Sequence, residues 1–83
     1  MFSNLIGKAR NRIVEFHLRS DNRRLAGKVN ELDEVFVEVL VWVDEKTGEF
    51  AADRPAYQKA EAGEPGWRTD RILVNITDIS IIA

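Results

Sequence analysis

The chain has 83 residues, 12 basic and 14 acidic side chains and a formal net charge of −2. This length suits a single domain over residues 1–83, and the near balance of charge excludes a global attraction to nucleic acid or to an anionic membrane. With no cysteine and one histidine, the chain has no disulfide or cysteine metal site, and a histidine-based zinc site is disfavoured. Small domains often need added stabilisation, and we expect oligomerisation to supply it here.

The N-terminus has no basic segment followed by a long apolar run, and no apolar stretch approaches the length of a membrane span. We therefore expect a cytoplasmic protein with no signal peptide and no membrane contact.

The first segment has the periodicity of an amphipathic helix. Phe2, Leu5, Ile6 and Ala9 form one apolar stripe, which predicts a helix over about residues 3–10. A helix this short is not stable alone, so we expect it to dock on the rest of the domain.

The pattern then changes to period two. Val14, Phe16 and Leu18 alternate with polar residues and predict a half-buried strand over about residues 12–20. A turn at residues 20–22 follows, since serine, aspartate and asparagine favour turns.

A second strand is predicted over about residues 23–33, with Leu25 and Val29 as its apolar residues. Gly27 lies between them. Because glycine inside a strand often marks a sharp bend or close backbone packing, we expect one of these at Gly27.

The third predicted strand, over about residues 35–45, is rich in β-branched and aromatic residues. Its two faces are both apolar, which is typical of a strand that is central in its sheet or bent around a core. One face carries Val35, Val37, Val39, Val41 and Val43, and the other carries Phe36, Leu40 and Trp42.

The segment 46–67 is polar and rich in small residues, and we predict a long variable loop there, with a short continuation of the hairpin at residues 49–51. Two short strands follow, over about 69–75 and 78–82. A helix, a three-stranded meander, a loop and two short strands together predict a small bent antiparallel barrel with a helical lid.

This order resembles the Sm/LSm/Hfq family over most of the chain, from the N-terminal helix to Ile82. In the first Sm motif, the family's glycine, aliphatic, aspartate and apolar positions are occupied by Gly27, Val29, Leu32, Asp33, Phe36 and Leu40. The second motif resembles residues 74–82, with Ile79 and Ile82 in its apolar positions. The resemblance implies an all-β fold: a short N-terminal helix followed by a five-stranded, strongly bent antiparallel Sm-like (SH3-like) barrel.

The resemblance also implies a homo-oligomeric ring, a hexamer or heptamer, in which the fourth strand of one copy pairs with the fifth strand of the next. An apolar strand left unpaired at a sheet edge is an aggregation hazard, and closing a ring pairs every edge. The expected subunit interface comprises Leu73, Val74, Asn75, Ile79, Ile81 and Ile82.

Many members of the family bind single-stranded, uridine-rich or adenine-rich RNA, and the matching positions here are Asp33, Val35, Val37 and Asn75. Two of them depart from the family's uridine pocket. Val35 stands at the position of the stacking side chain and Val37 at that of an asparagine, and valine does neither task. Asn75 replaces the usual arginine, so a charge-assisted contact is missing. The histidine-containing second motif of Hfq is also absent, and His17 does not replace it.

The leading hypothesis is therefore an Sm-like ring that binds single-stranded RNA with altered or weak specificity. The alternative is a structural scaffold ring that binds a protein partner through the long loop, without RNA. We expect no enzymatic activity, no catalytic residue, no cofactor and no metal, because no acid–base, nucleophile or ligand constellation is present.

Several residues have a structural interpretation beside the functional one. For Asp33 we favour hydrogen bonding to the amides of its own turn. The basic residues of the first third form either a phosphate-binding surface or, as we favour, a solvated face balanced by acids. Trp42 and Trp67 could stack bases, but we expect Trp42 in the core or an interface and Trp67 in a subunit contact.

Overall fold

The computed structural model describes residues 12–82. Its elements are β1 (Ile13–Leu18), β2 (Arg23–Leu32), β3 (Phe36–Asp44), α1 (Arg54–Glu61), β4 (Trp67–Asn75) and β5 (Ile79–Ile81). The strands form one five-stranded antiparallel sheet in the order β4-β3-β2-β1-β5, which confirms the predicted antiparallel, mostly β architecture. Among the described residues this sheet is not closed, and β4 and β5 are its two edges. The helix predicted over residues 3–10 lies outside the described residues.

The main core lies on one face of the sheet, which we call the inner face. Strand alternation directs every second side chain to it, and Phe16, Leu25 and Val39 are fully buried there. Its buried members are Val14, Phe16, Leu18, Leu25, Val29, Val37, Val39, Val41, Val43, Val74 and Ile79. The opposite side of the sheet is called the outer face.

Gly27 allows the close approach of β2 to β3. A Cβ atom at this position would collide with the Val39 side chain and would lie 2.8 Å from the carbonyl oxygen of Leu40. The expected close backbone packing at Gly27 is thereby confirmed, since no larger residue fits between the two strands without a shift.

The segment predicted as a loop contains ordered structure. Phe50 forms an isolated antiparallel bridge with Val43, so the predicted hairpin continuation is confirmed. Ala51 then lies between two strands: its amide donates to Trp42 O (2.9 Å), and its carbonyl accepts from the Ala26 amide (2.7 Å).

The correction to the predicted loop is the eight-residue helix α1. Asp53 caps its N-terminus by accepting a hydrogen bond from the Ala56 amide (2.9 Å), and Pro55 lies in the first turn, where its missing N–H costs nothing. Only Tyr57 and Ala60 of the helix are buried, so the apolar signal was too short to detect. No helix within residues 12–82 is long and apolar enough to cross a membrane.

Helix α1 covers part of the outer face through a second apolar cluster. Tyr57 packs with the buried Ala26 and Ala51, and the partly buried Trp42 and Trp67 border them. Trp42 therefore belongs to this cluster, within the range of positions expected for it. The apolar outer side of β3 thus has a partner within the chain.

Candidate functional site

Two turns meet at one end of the sheet. The Ile76 amide donates to the carbonyl oxygen of Val35 at 2.8 Å, which joins the β2–β3 turn to the β4–β5 turn. We call residues 33–36 and 75–77 the turn junction. It brings together three of the four residues predicted to contact RNA: Asp33, Val35 and Asn75.

Asp33 and Asn75 of the turn junction each support their own turn. Asp33 Oδ1 accepts from the Val35 amide at 3.0 Å, which confirms the favoured structural role of Asp33. Asn75 Oδ1 accepts from the Thr77 amide (2.9 Å) and the Thr77 hydroxyl (2.7 Å). These bonds use only the carbonyl oxygen of the Asn75 side chain, so its two N–H donors are not consumed by the turn.

The two valines have opposite environments. Val37 is 0% exposed and belongs to the core, so a ligand cannot reach its side chain and it leaves the candidate site. Val35 precedes β3 and is 49% exposed. Beside it lies Phe36, which the motif comparison did not mark as a contact residue. Phe36 is 44% exposed and lies opposite Asn75 in the β3–β4 register. Phe36 lies on the same face of β3 as Leu40 and Trp42, and this apolar face predicted that Phe36 would be buried.

Within residues 12–82, the open edge of β4 presents unpaired backbone groups. Next to the paired part of β3 and β4, the Ile76 amide donates to Val35 O and the Glu45 amide donates to Gly66 O. These two bonds show which residues of β4 are hydrogen-bonded to β3. In an antiparallel pair, only every second residue bonds to the neighbouring strand. The even-numbered residues of β4 therefore bond to β3, and the backbone groups of the odd-numbered residues point to the edge.

Two of the edge-pointing backbone groups of β4 already have partners, since the Arg71 amide donates to Asp70 Oδ1 (2.8 Å) and the Asn75 carbonyl accepts from the Asp78 amide (2.9 Å). Among the described residues, the amides and carbonyls of Thr69 and Leu73 remain for a partner strand.

The open edge of β5 follows from the same reasoning. Arg19 N donates to Asp78 O (2.9 Å) and Ile82 N donates to Glu15 O (2.8 Å), so the even-numbered residues here bond to β1. The backbone groups of Ile79 and Ile81 consequently point away from the sheet.

The side chains at the predicted interface divide into two groups. Val74 and Ile79 are buried in the core and Ile81 packs against it, so Val74 and Ile79 offer a partner mainly backbone. Leu73 and Ile82 are 69% and 47% exposed. Among the described residues, the exposed large hydrophobic side chains are Val35, Phe36, Leu73 and Ile82, and all lie at the turn junction or beside an open edge.

A cleft of about 710 Å³ lies on the outer face between α1 and strands β2–β4. Lys28 Nζ donates to Glu61 Oε2 at 2.7 Å and lies 5.8 Å from the centre of the Tyr57 ring. The hydrogen bond to Glu61 raises the pKa of Lys28, and burial raises the pKa of Tyr57. These contacts tie α1 to the sheet.

The stability of the domain at high pH tests whether the contacts of Lys28 and Tyr57 hold α1 on the sheet. Both pKa values are raised on folding from their ordinary values of 10.5 for Lys28 and 10.0 for Tyr57, so the unfolded chain loses these protons first. The free energy of unfolding should be unaffected by these groups below about pH 9 and should fall as the pH rises above about 10. In urea unfolding, the free energy of unfolding of Tyr57→Phe should fall less above about pH 10 than that of the parent chain. An equal fall in the two proteins would contradict the role of Tyr57.

Several other basic and polar residues have partners within the chain. Arg24 lies 3.3 Å from Glu15, and His17, half-exposed as expected, donates from Nε2 to Asn22 Oδ1 at 2.9 Å. Trp67 Nε1 donates to Glu64 Oε2 at 3.0 Å. The ion pairs of Arg24 and Lys28 agree with a solvated face balanced by acids. Within residues 12–82, no three carboxylate or histidine side chains lie close enough to hold a metal ion.

Comparison of the chain with protein-family models, with curated proteins and with solved structures finds no match. The functional interpretation therefore rests on the geometry of the turn junction and the two open edges.

Proposed function

We propose that the chain is an Sm-like subunit that assembles with copies of itself into a ring, with β5 of one copy added antiparallel to β4 of the next. The observation that carries this proposal is the pair of open edges on a five-stranded sheet. Each edge combines unpaired backbone groups with one exposed apolar side chain, Leu73 at one and Ile82 at the other. Two different edges make a head-to-tail contact, which closes into a ring when the rotation between copies allows it.

The second part of the proposal is that the ring binds single-stranded RNA at the turn junction. The exposed Phe36 ring provides a stacking surface for a base, and base–aromatic stacking tolerates any sequence. Asn75, opposite Phe36, has amide donors for a base edge or a sugar. Val35 cannot stack and Val37 is buried, so this site differs from a uridine pocket and its sequence preference is weak.

Fluorescence anisotropy with labelled oligo-U, oligo-A and mixed-sequence RNA tests this part. We expect salt-dependent binding at micromolar protein, weakened about tenfold by Phe36→Ala because a stacked base contributes about 1–3 kcal/mol. Asn75→Ala should weaken binding less. Gln58→Ala, on the exposed side of α1, is the matched control and should change nothing.

Absence of salt-dependent binding to all three RNAs would refute the RNA part and leave the assembly part standing. Equal losses for Phe36→Ala and Gln58→Ala would place RNA elsewhere on the ring.

A scaffold ring that holds a protein partner through residues 45–66 is the second candidate. The ordered helix α1 favours it, because Gln58 and Lys59 are exposed. Deleting the segment would also remove Ala51 and Tyr57 from the second apolar cluster, so deletion would test folding instead. Gln58→Ala combined with Lys59→Glu changes only the exposed side and should abolish partner capture while RNA binding persists.

A further inference from the structure

We infer that assembly exchanges the faces of the sheet between neighbouring copies, so that Leu73 of one copy packs at the core margin of the next, beside the partly buried Ile81. This inference rests on the proposed assembly and specifies which side chains meet across it. It follows from the hydrogen-bond alternation at the two edges and from the burial of the residues there.

The two edges direct opposite faces toward a partner. On β4, the residues whose backbone groups point to the edge, Leu73 among them, have their side chains on the outer face, because Val74 and Ile72 pack in the core. On β5, the corresponding residues are Ile79 and Ile81, and their side chains lie on the inner face.

Residues directly opposite each other in an antiparallel ladder have side chains on the same side of the sheet. A hydrogen-bonded pair between copies must join Ile79 or Ile81 to an edge-pointing residue of β4. The inner face of one copy therefore continues as the outer face of the next. Two registers pair Leu73 with β5 of the next copy. Leu73 lies opposite Ile79 in one of them and opposite Ile81 in the other.

The exchange works in the other direction as well. Ile82 has its side chain on the outer face of its own copy, so after the exchange it lies on the same side as Ile72 and Val74 of the neighbour. Each exposed apolar side chain at an edge thus meets the margin of the other copy's core. Parallel addition would preserve the faces and place Leu73 beside Ile82 instead.

Cysteine cross-linking tests the inference without background, because the chain has no cysteine. A tagged chain carrying Leu73→Cys is refolded together with an untagged chain carrying either Ile81→Cys or Ile82→Cys, and the mixture is oxidised. Face exchange predicts a mixed disulfide with Ile81→Cys at least about tenfold more abundant than with Ile82→Cys, whose Cβ atom points away. Arg71→Cys with Ile81→Cys covers the register in which Leu73 lies opposite Ile79.

Three results would overturn the inference. Preferential linkage of Leu73→Cys to Ile82→Cys in an assembled protein would show that faces are preserved, and it would leave the proposed ring intact. An assembled protein in which neither Leu73→Cys nor Arg71→Cys links to Ile81→Cys would show that Leu73 lies opposite neither Ile79 nor Ile81. A parent chain that is monomeric by light scattering would refute the proposed assembly and the face exchange together.

Discussion

Replacing Leu73 with glutamate should convert the assembled protein into 9.5 kDa monomers while the fold persists. Leu73 is 69% exposed in the single chain, so the change removes little that stabilises folding. In the proposed assembly the same side chain would be buried, and burying a leucine contributes about 1.5–3 kcal/mol. Losing that contribution and desolvating a carboxylate should weaken each contact between copies at least about 30-fold.

Two control variants give this prediction its specificity. Leu73→Ile keeps an apolar side chain of equal size, whose β-branching suits a strand, and should assemble like the parent chain. Gln58→Glu adds the same negative charge on the exposed side of α1, away from both edges, and should also assemble. Light scattering at micromolar concentration measures all three. A Leu73→Glu variant with the mass of the parent assembly would show that the β4 edge is not the contact.

Replacing Gly27 with valine should destabilise the domain more than a typical substitution on the surface. The Cβ atom alone would collide with the Val39 side chain and approach Leu40 O to 2.8 Å, and Leu40 O belongs to the backbone, which cannot move aside easily. Overpacking a core costs about 1–3 kcal/mol and sometimes more, and we expect a value of at least about 3 kcal/mol here. Urea unfolding followed by circular dichroism measures the loss.

Gly27→Ala should fall between valine and the parent, because it introduces the Cβ atom without the two methyl groups. Arg23→Ala, at an exposed position of the same strand, should change the free energy of unfolding by about 0.5 kcal/mol or less. Equal stability of the Gly27→Val and Arg23→Ala variants would contradict the close approach of β2 to β3.

Strand periodicity predicted most of the sheet because the inner face is apolar at every second residue. Phe16 and Val39 are examples: both follow the period of two and both are fully buried. Gly27 could be predicted as well, since a glycine inside a strand has few explanations other than a bend or a close approach.

The sequence did not predict α1, although weak signals for it exist. Asp53 is a good N-cap and Pro55 suits the first turn, but only Tyr57 and Ala60 supply apolar spacing. Such a short helix is stabilised by the surface on which it packs, and that surface is assembled from Ala26, Ala51 and Trp42, which are distant in the sequence.

The candidate site was predicted only in part, because exposure depends on which strands extend alongside. Val35 falls on the same alternation as the buried valines of β3. The pairing of β2 with β3 ends at Leu32 and Val37, so β2 does not extend alongside Val35. Val37, two residues further, has β2 beside it and is buried. The position of a residue in the motif therefore could not predict that Val35 is exposed and Val37 is buried.

The mass of the purified parent chain in solution tests the central claim most directly. Native mass spectrometry and light scattering at micromolar concentration should give one closed assembly of about six or seven copies of the 9.5 kDa chain. A monomer at every concentration measured would contradict assembly through the two open edges.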